Sequence, residues 1–582
     1  MLLGQPPVWV CGETALAERV VAGLRRERRR VRLVTADRLA GIQPGDCRTL
    51  VLAQPPGVDA LLLQIAKRIG APRRGPPLRL ILLHPAHPPP TLPPPLADLD
   101  PEGPLLLETF ALEDRAARSL LARWPLHFGI DPVYGQRPHL LFAGFAAPAR
   151  ALMVQALRLI HYDAQRPRVT VLAADPDACA AAFNRAYPQA GQVADVLWST
   201  FDRPNLDGAP PVTQVLVCAE RPALGLELAR TLARRIAAGH GASPPVLLEV
   251  GDTDLSGEIA DWDGQVIPFS YLEEACRPQV LLDGEGDRLA QTIHAYYTDS
   301  IAAQGRDPTT EPAGRPWARL AISYRDANRH QADHLWAKLA VTDCRAVPEE
   351  QVESFAFAPL EAERMAIIEH LRWSAERYLD GWTYSPQRDN RRKHHPQLVP
   401  YASLSEPMKD LDRFAVRGVP ALLARSGLGV VRMLILGLTE PAPDCPDGPS
   451  LRRLADQALE RLLGRYPDRS LVLASTLADP RARQIVRRAL DSAGAGLFLL
   501  CPRPLAETLA AQPDAPARRD LLELAARAER RIGLPGPGQP EHWLSRRSEI
   551  ILSLGPDSVD IGIDKRVVLD SARRRLEWSF EY

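Results

Sequence analysis

The chain lacks a net charge. Across 582 residues, 71 Lys and Arg stand against 71 Asp and Glu. A dedicated nucleic-acid binder would show a basic excess, so no nucleic-acid partner is expected. It also lacks any uninterrupted apolar run near the ~20 residues that a membrane helix needs. Met1 is followed by no basic region and long apolar core, so no secretory leader is read there. The eight cysteines (Cys11, Cys47, Cys179, Cys218, Cys276, Cys344, Cys445, Cys501) form no CxxC pair, and several fall inside apolar runs. That spacing offers no zinc site and fits reduced, buried thiols in a cytoplasmic protein. Catalytic signatures are missing as well: there is no P-loop, HExxH or GxSxG. Glu369 and His370 adjoin, but neighbouring helical residues point ~100° apart and do not converge on one substrate. No enzymatic activity is expected.

What is present is ordinary for globular protein: 46% hydrophobic and 24% charged residues. The length suggests about three to five domains. The most informative stretch is Glu363 to Arg413. Ile368, Leu371, Ala375, Tyr378 and Leu379 recur at helical spacing and predict a helix over Glu363 to Asp380 with one buried face. Gly381 is placed to end it. Another face carries Glu369, Trp373 and Glu376. An aromatic loop follows, Trp382-Thr383-Tyr384-Ser385-Pro386, and then a run from Arg388 to His395 with four cationic side chains (Arg388, Arg391, Arg392, Lys393) against one carboxylate, Asp389. His394 and His395 read as loop or cap residues. Ser405 is the candidate N-cap of a short helix from Glu406 to Arg413. Rings beside guanidinium groups suit a planar anion, with the base stacked on Trp or Tyr and the phosphates on Arg. The plainer reading makes Trp373, Trp382 and Tyr384 the core of a small helical domain.

This stretch resembles the RyR domain, a small repeated module first described in ryanodine receptors and also found in bacterial proteins. The residues that carry the resemblance are Glu369-His370-x-Arg372-Trp373, Gly381-Trp382-x-Tyr384, Arg388-Asp389, Lys393-x-His395-Pro396, Leu398-Val399-Pro400-Tyr401, Leu404 and Asp412-Arg413. Such spacing over roughly fifty residues is far more specific than a short glycine motif. The resemblance implies a mainly helical, non-catalytic module with a nucleotide-like ligand. The ligand residues expected are Trp373, Trp382, Tyr384, Arg388, Arg391, Lys393 and His395. Tyr324 and Arg325, in the helical lead-in from Trp317 to Leu339, would line the same cleft.

Upstream, strand, turn, helix and strand follow one another twice. Val8 to Cys11 leads to Gly12 and a strand ending near Asp37; His139 to Ala143 leads to Gly144 and a strand ending near Asp175. This is the layout of dinucleotide-binding units, with Gly12 and Gly144 at the turn and Asp37 and Asp175 where a ribose hydroxyl would be held. Thr14 and Ala17 in the first unit, and Ala146 and Ala149 in the second, replace fingerprint glycines, which weakens tight cofactor binding. The proline run Pro88 to Pro95 reads as a stiff surface loop. The two units resemble TrkA-N, or RCK, modules that gate bacterial potassium transport. From Val430 a third α/β pattern resembles a divergent SLOG-type Rossmannoid through Gly437, Ser475-x-Leu477-Ala478 and Leu499 to Pro502.

The expected fold is therefore α/β and multidomain: degenerate Rossmann 1–135, second Rossmann 136–283, RyR module with helical lead-in 284–420, and SLOG-like Rossmannoid 425–582. The expected function is ligand sensing in the cytoplasm, by a homodimer whose output is a membrane channel for potassium or a prokaryotic defence system. A nucleotide or NAD-like molecule is the ligand class, with no obligate cofactor. The alternatives are an NAD(P)-linked enzyme using one Rossmann unit, or a ligand-free structural adaptor.

Overall fold

The computed structural model describes residues 7–12, 15–42, 46–55, 57–69, 77–85, 103–241, 243–260, 266–440, 448–536, 538–552, 563–566 and 577–578. Thr14 and the proline run 88–95 lie outside them. The protein is α/β, with parallel sheets flanked by helices, and divides into two compact units. No helix among the described residues is long and apolar enough to cross a membrane.

The first unit comprises residues 1–123, 146–155 and 269–333. Its sheet holds β1 (Val8–Cys11), β2 (Val31–Val34), β3 (Thr49–Ala53), β4 (Leu78–His84) and β5 (Leu105–Ala111) in the order β2-β1-β3-β4-β5, all parallel. A parallel sheet is covered on both faces, which is why β4 is a nearly unbroken apolar run. Alternate residues serve the two cores. Trp9, Leu50, Leu52, Leu80 and Leu82 pack on one side, and Val10, Val51, Ile81 and Leu83 on the other. Helix Ala15–Arg26 lays Ala17, Val20, Val21 and Leu24 on the second side. This strand order is the flavodoxin-like one, with a switch point between β1 and β3.

The second unit comprises residues 124–145, 156–268 and 334–582. One sheet is built from β6 (His139–Ala143), β7 (Arg168–Leu172), β8 (Asp195–Ser199), β9 (Gln214–Val217), β10 (Val246–Glu249) and β11 (Val266–Phe269), ordered β11-β10-β9-β6-β7-β8. Read from β8, this is the 3-2-1-4-5-6 order of the doubly wound dinucleotide-binding sheet. Both upstream sheets are thus Rossmann-like, but their strand orders differ.

The remaining strands are β12 (Cys344–Pro348), β13 (Thr383–Tyr384), β14 (His394–His395), β15 (Leu428–Leu438), β16 (Arg469–Ser475), β17 (Gly496–Cys501), β18 (Arg530–Gly533), β19 (Ile550–Leu552), β20 (Ile563–Arg566) and β21 (Glu577–Trp578). Strands β15 to β19 form a third parallel sheet, ordered β18-β17-β16-β15-β19, with β20 and β21 beyond β19. The eleven-residue β15 has two partners on one edge. Its second half pairs with β19, while its first half pairs antiparallel with β12, from Cys344↔Arg432 to Pro348↔Leu428. The chain between β12 and β15 therefore leaves and re-enters the same sheet edge. That excursion contains helices Pro359–Leu379, Glu406–Arg417 and Val419–Ala424 and the two-stranded β13–β14 pair.

Candidate functional site

The excursion is organised by helix Pro359–Leu379. It starts four residues earlier than the apolar spacing indicates, because Pro359 suits the first turn and Glu361 Oε2 accepts the Ala358 N–H at 2.6 Å. It ends as expected. Gly381 takes φ +81°, and Trp382 N–H donates back to Arg377 O. Ser405 does sit at the N-cap of helix Glu406–Arg417, but its side chain makes no capping bond.

Inside the helix lies a charge network that apolar spacing does not reveal. Glu369 is buried, and accepts from Arg372 Nη2 at 2.9 Å and Nε at 3.1 and 3.2 Å; Lys338 Nζ stands 2.8 Å from its Oε2. Arg372 Nη1 also donates to Glu376 at 2.6 Å. Burial alone would raise the Glu369 carboxyl, but Arg372 and Lys338 more than offset it and hold it below the usual range. The only clue in the sequence was spacing: Arg372 follows Glu369 by three residues and precedes Glu376 by four. Lys338 comes from outside the motif.

The aromatic residues form a second layer. Trp373 is half-buried, stacked on His370 at 5.7 Å between ring centres and edge-on to His395 at 4.9 Å. Trp382 is only 8% exposed; its Nε1 donates to Asp380 at 3.1 Å, and Arg377 covers its ring. His395 is buried between the two indoles and accepts the Gln397 N–H, so it is a core residue rather than a loop or cap residue. His370 Nε2 donates to Val399 O at 2.8 Å. These contacts hold β14 and the chain after it against the long helix.

The outer face is different. Tyr384, on β13, is 55% exposed. The loop from β13 to β14 carries Arg388, Arg391, Arg392 and Lys393, all exposed. Its one carboxylate, Asp389, accepts the backbone N–H groups of Arg391 and Arg392 with the same oxygen and shapes the turn. Lys393 is already engaged: its ammonium donates to Asp380 O at the end of the long helix, at 2.6 Å. Arg388 Nε donates to Asn390 at 3.0 Å, and neither Arg388 nor Arg391 has an ion pair among the described residues. Of the expected ligand residues, Tyr384, Arg388 and Arg391 are thus open to solvent, Trp373 is partly so, and Trp382 and His395 are packed inside.

The other candidates come from outside the excursion. Tyr324 and Arg325 stand on helix Ile322–Asp333 of the first unit. Gly12 follows β1 at that unit's switch point, where an added Cβ would meet Ala53 O at 2.5 Å. Gly144 follows β6 with φ +86°, and a Cβ there would meet Cys218 O at 2.3 Å. Both glycines are demanded by close backbone approach between neighbouring strand ends, whether or not a ligand binds. Asp37 is exposed on the short helix Ala36–Ala40. Asp175 caps helix Pro176–Ala186 by accepting the Ala178 N–H at 2.9 Å, so a ribose hydroxyl would have to share it. In the third sheet, Asp479 caps helix Pro480–Ser492, and the buried Arg483 donates to the Leu477 and Ala478 carbonyls. A carboxylate at that helix start disfavours a phosphate there.

Residues 359–432 match the family model of the RyR domain. The matched segment runs from the first turn of the long helix into the first half of β15, so it coincides with the excursion from the third sheet. Among solved structures, a solute-binding protein of an ABC transporter system from Aeropyrum pernix K1 is similar over 64% of this chain and 99% of its own, at 12% identity and a TM-score of 0.23. At that level neither fold nor function is carried across.

Neutral histidines make the second unit acid-sensitive. His139 donates Nδ1–H to Pro210 O at 2.7 Å, and His161 donates Nε2–H to Leu157 O at 2.9 Å. Burial lowers both to about 4. The folded values lie below the unfolded one of about 6.5, so this stability is present above that pH and lost as pH falls toward 4. The midpoint of guanidinium unfolding should be lower at pH 5 than at pH 7. An equal midpoint would reject the assignment.

Proposed function

We propose that this chain is a ligand-sensing regulatory protein whose RyR module binds a nucleotide-like anion. The observation that carries the reading is the outer face of the module: an exposed Tyr384 ring beside a loop whose Arg388 and Arg391 have no carboxylate partner among the described residues. Base-on-ring stacking contributes roughly 1–3 kcal/mol, and guanidinium forks match phosphate oxygens. Trp382 supports the site from beneath and does not serve as the stacking surface.

The same geometry supports a route for the signal. The module hangs from β12 and β15, and Arg432 on β15 holds Glu361 of the long helix through two bonds, at 3.1 and 2.6 Å. A ligand that prefers one setting of the module would bias the sheet edge that carries it. In this reading the output is a change in packing or assembly of the Rossmann-like sheets in a dimer, with potassium-transport control or prokaryotic defence as its setting by resemblance of domain types.

A thermal-shift screen against ATP, ADP-ribose, NAD and cyclic mono- and dinucleotides tests this. Ligand at ~100 times its Kd should add about 2.7 kcal/mol of stability. The shift should vanish in the Tyr384→Ala/Arg388→Ala double variant, which alters only exposed side chains. A shift that survives there and is lost in Asp175→Asn would move the ligand to the second sheet's switch point. No shift with any nucleotide would favour the adaptor.

A further inference from the structure

The first unit holds a separate concentration of arginine. Helix Leu112–Arg123 supplies Arg115 and Arg118, helix Ile322–Asp333 supplies Arg325 and Arg329, and β4 supplies Arg79. Four carboxylates face them, and each is occupied. Asp287 accepts from Arg115 at 3.2 Å, Arg118 at 3.0 Å and Arg329 Nε at 2.9 Å. Asp333 accepts two bonds from Arg118, at 2.7 and 2.8 Å, and one from Gln155. Glu108 is shared by Arg79 at 2.8 Å and Arg115 at 3.5 Å, and Asp326 pairs with Arg329 at 2.9 Å.

Arg325 is left over. It is half-buried, its Nε is shut off from water with no acceptor, and its side chain has no ion pair or hydrogen bond among the described residues. An orphaned buried donor on a charged group is costly, and natural proteins seldom keep one without a partner. Its neighbours add to the strain. Burial and then Arg329 weigh against its charged form and outweigh the attraction of Glu108, Asp326 and Asp287. A bound anion would relieve this.

We infer that Arg325 anchors an anion site in the first unit, one that takes a phosphate group. The guanidinium fork matches the oxygens of a phosphate, and five arginines against four carboxylates leave a positive charge for an anion to neutralise. The site is independent of the RyR-module reading and stands without it.

Calorimetric titration of the full chain at low salt decides the matter, with inorganic phosphate, ATP and acetate as probes. The Tyr384→Ala/Arg388→Ala protein should bind phosphate as the unaltered chain does, whereas Arg325→Gln should weaken binding at least tenfold. ATP binding more tightly than phosphate through Arg325 would make a nucleotide the source of the group; equal binding would make it free phosphate. In phosphate-free buffer Arg325→Gln should melt no lower than the unaltered chain, because it removes an unpaired charge; a purely structural arginine would lower the melt. Failure of the unaltered chain to bind phosphate, equal binding by Arg325→Gln, or acetate binding as well as phosphate would overturn the proposal.

Discussion

Glu369→Ala is expected to cost the second unit about 3–5 kcal/mol, the range for removing one partner from a buried ion pair. Glu369 is the acceptor shared by Lys338 and Arg372, both buried. Arg372 would keep Glu376, but Lys338 would lose its only carboxylate within salt-bridge distance among the described residues. Hydrogen exchange in helix Pro359–Leu379 reads the effect locally: roughly every 1.4 kcal/mol is a tenfold change, so protection should fall by about two to four orders of magnitude. Glu369→Gln should lie between, since one acceptor survives. A triple replacement of Lys338, Glu369 and Arg372 by apolar residues of similar size should cost less than Glu369→Ala alone, because it removes the charges together. If Glu369→Ala leaves exchange within tenfold of the unaltered chain, the network is not holding the helix. The pH dependence has a fixed sign. The folded carboxyl lies below its unfolded value of about 4.3, so this contribution is present above that pH and lost on acidification through the folded value.

Apolar runs were enough to locate β1 and β6 to the residue, because each is buried and has little else in it. β12 and β18 were not legible. Cys344–Pro348 contains an arginine and ends in proline, and it is a strand only because Leu428–Arg432, some eighty residues on, offers an edge. Arg530–Gly533 begins with two arginines; Arg530 is nonetheless buried, lying over the Phe498 ring at 4.6 Å and 3.5 Å from Asp131. In the module, the aromatic and basic residues were picked out by type. Type does not distinguish Trp382, which is buried, from Tyr384, which is exposed, since both flank the same turn. Arg325 was singled out for its place in the lead-in; what sets it apart is that every nearby acid is already taken, and that depends on residues 79 to 333 folding together.

Asp287→Asn should be among the most damaging single changes in the first unit, at about 3–5 kcal/mol. The carboxylate is buried and holds Arg115, Arg118 and Arg329 at once. Burial would raise its carboxyl, but the Arg329 hydrogen bond and the three nearby charges overcome this and depress it far below the usual range. Its contribution is therefore intact above the unfolded value of about 3.9 and is lost only as pH falls below it. The amide keeps the shape and removes the charge, so packing loss cannot account for the effect. It also leaves the arginines with three carboxylates instead of four, which sharpens a contrast with Arg325. Neutralising the acid should lower the melting temperature in phosphate-free buffer and enlarge the rise on adding phosphate, because the anion then compensates a greater excess of positive charge. Neutralising Arg325 should do neither. A melt of Asp287→Asn equal to that of the unaltered chain would show that the three arginines are satisfied by other partners, and would remove the reason for treating Arg325 as the one left without an acid.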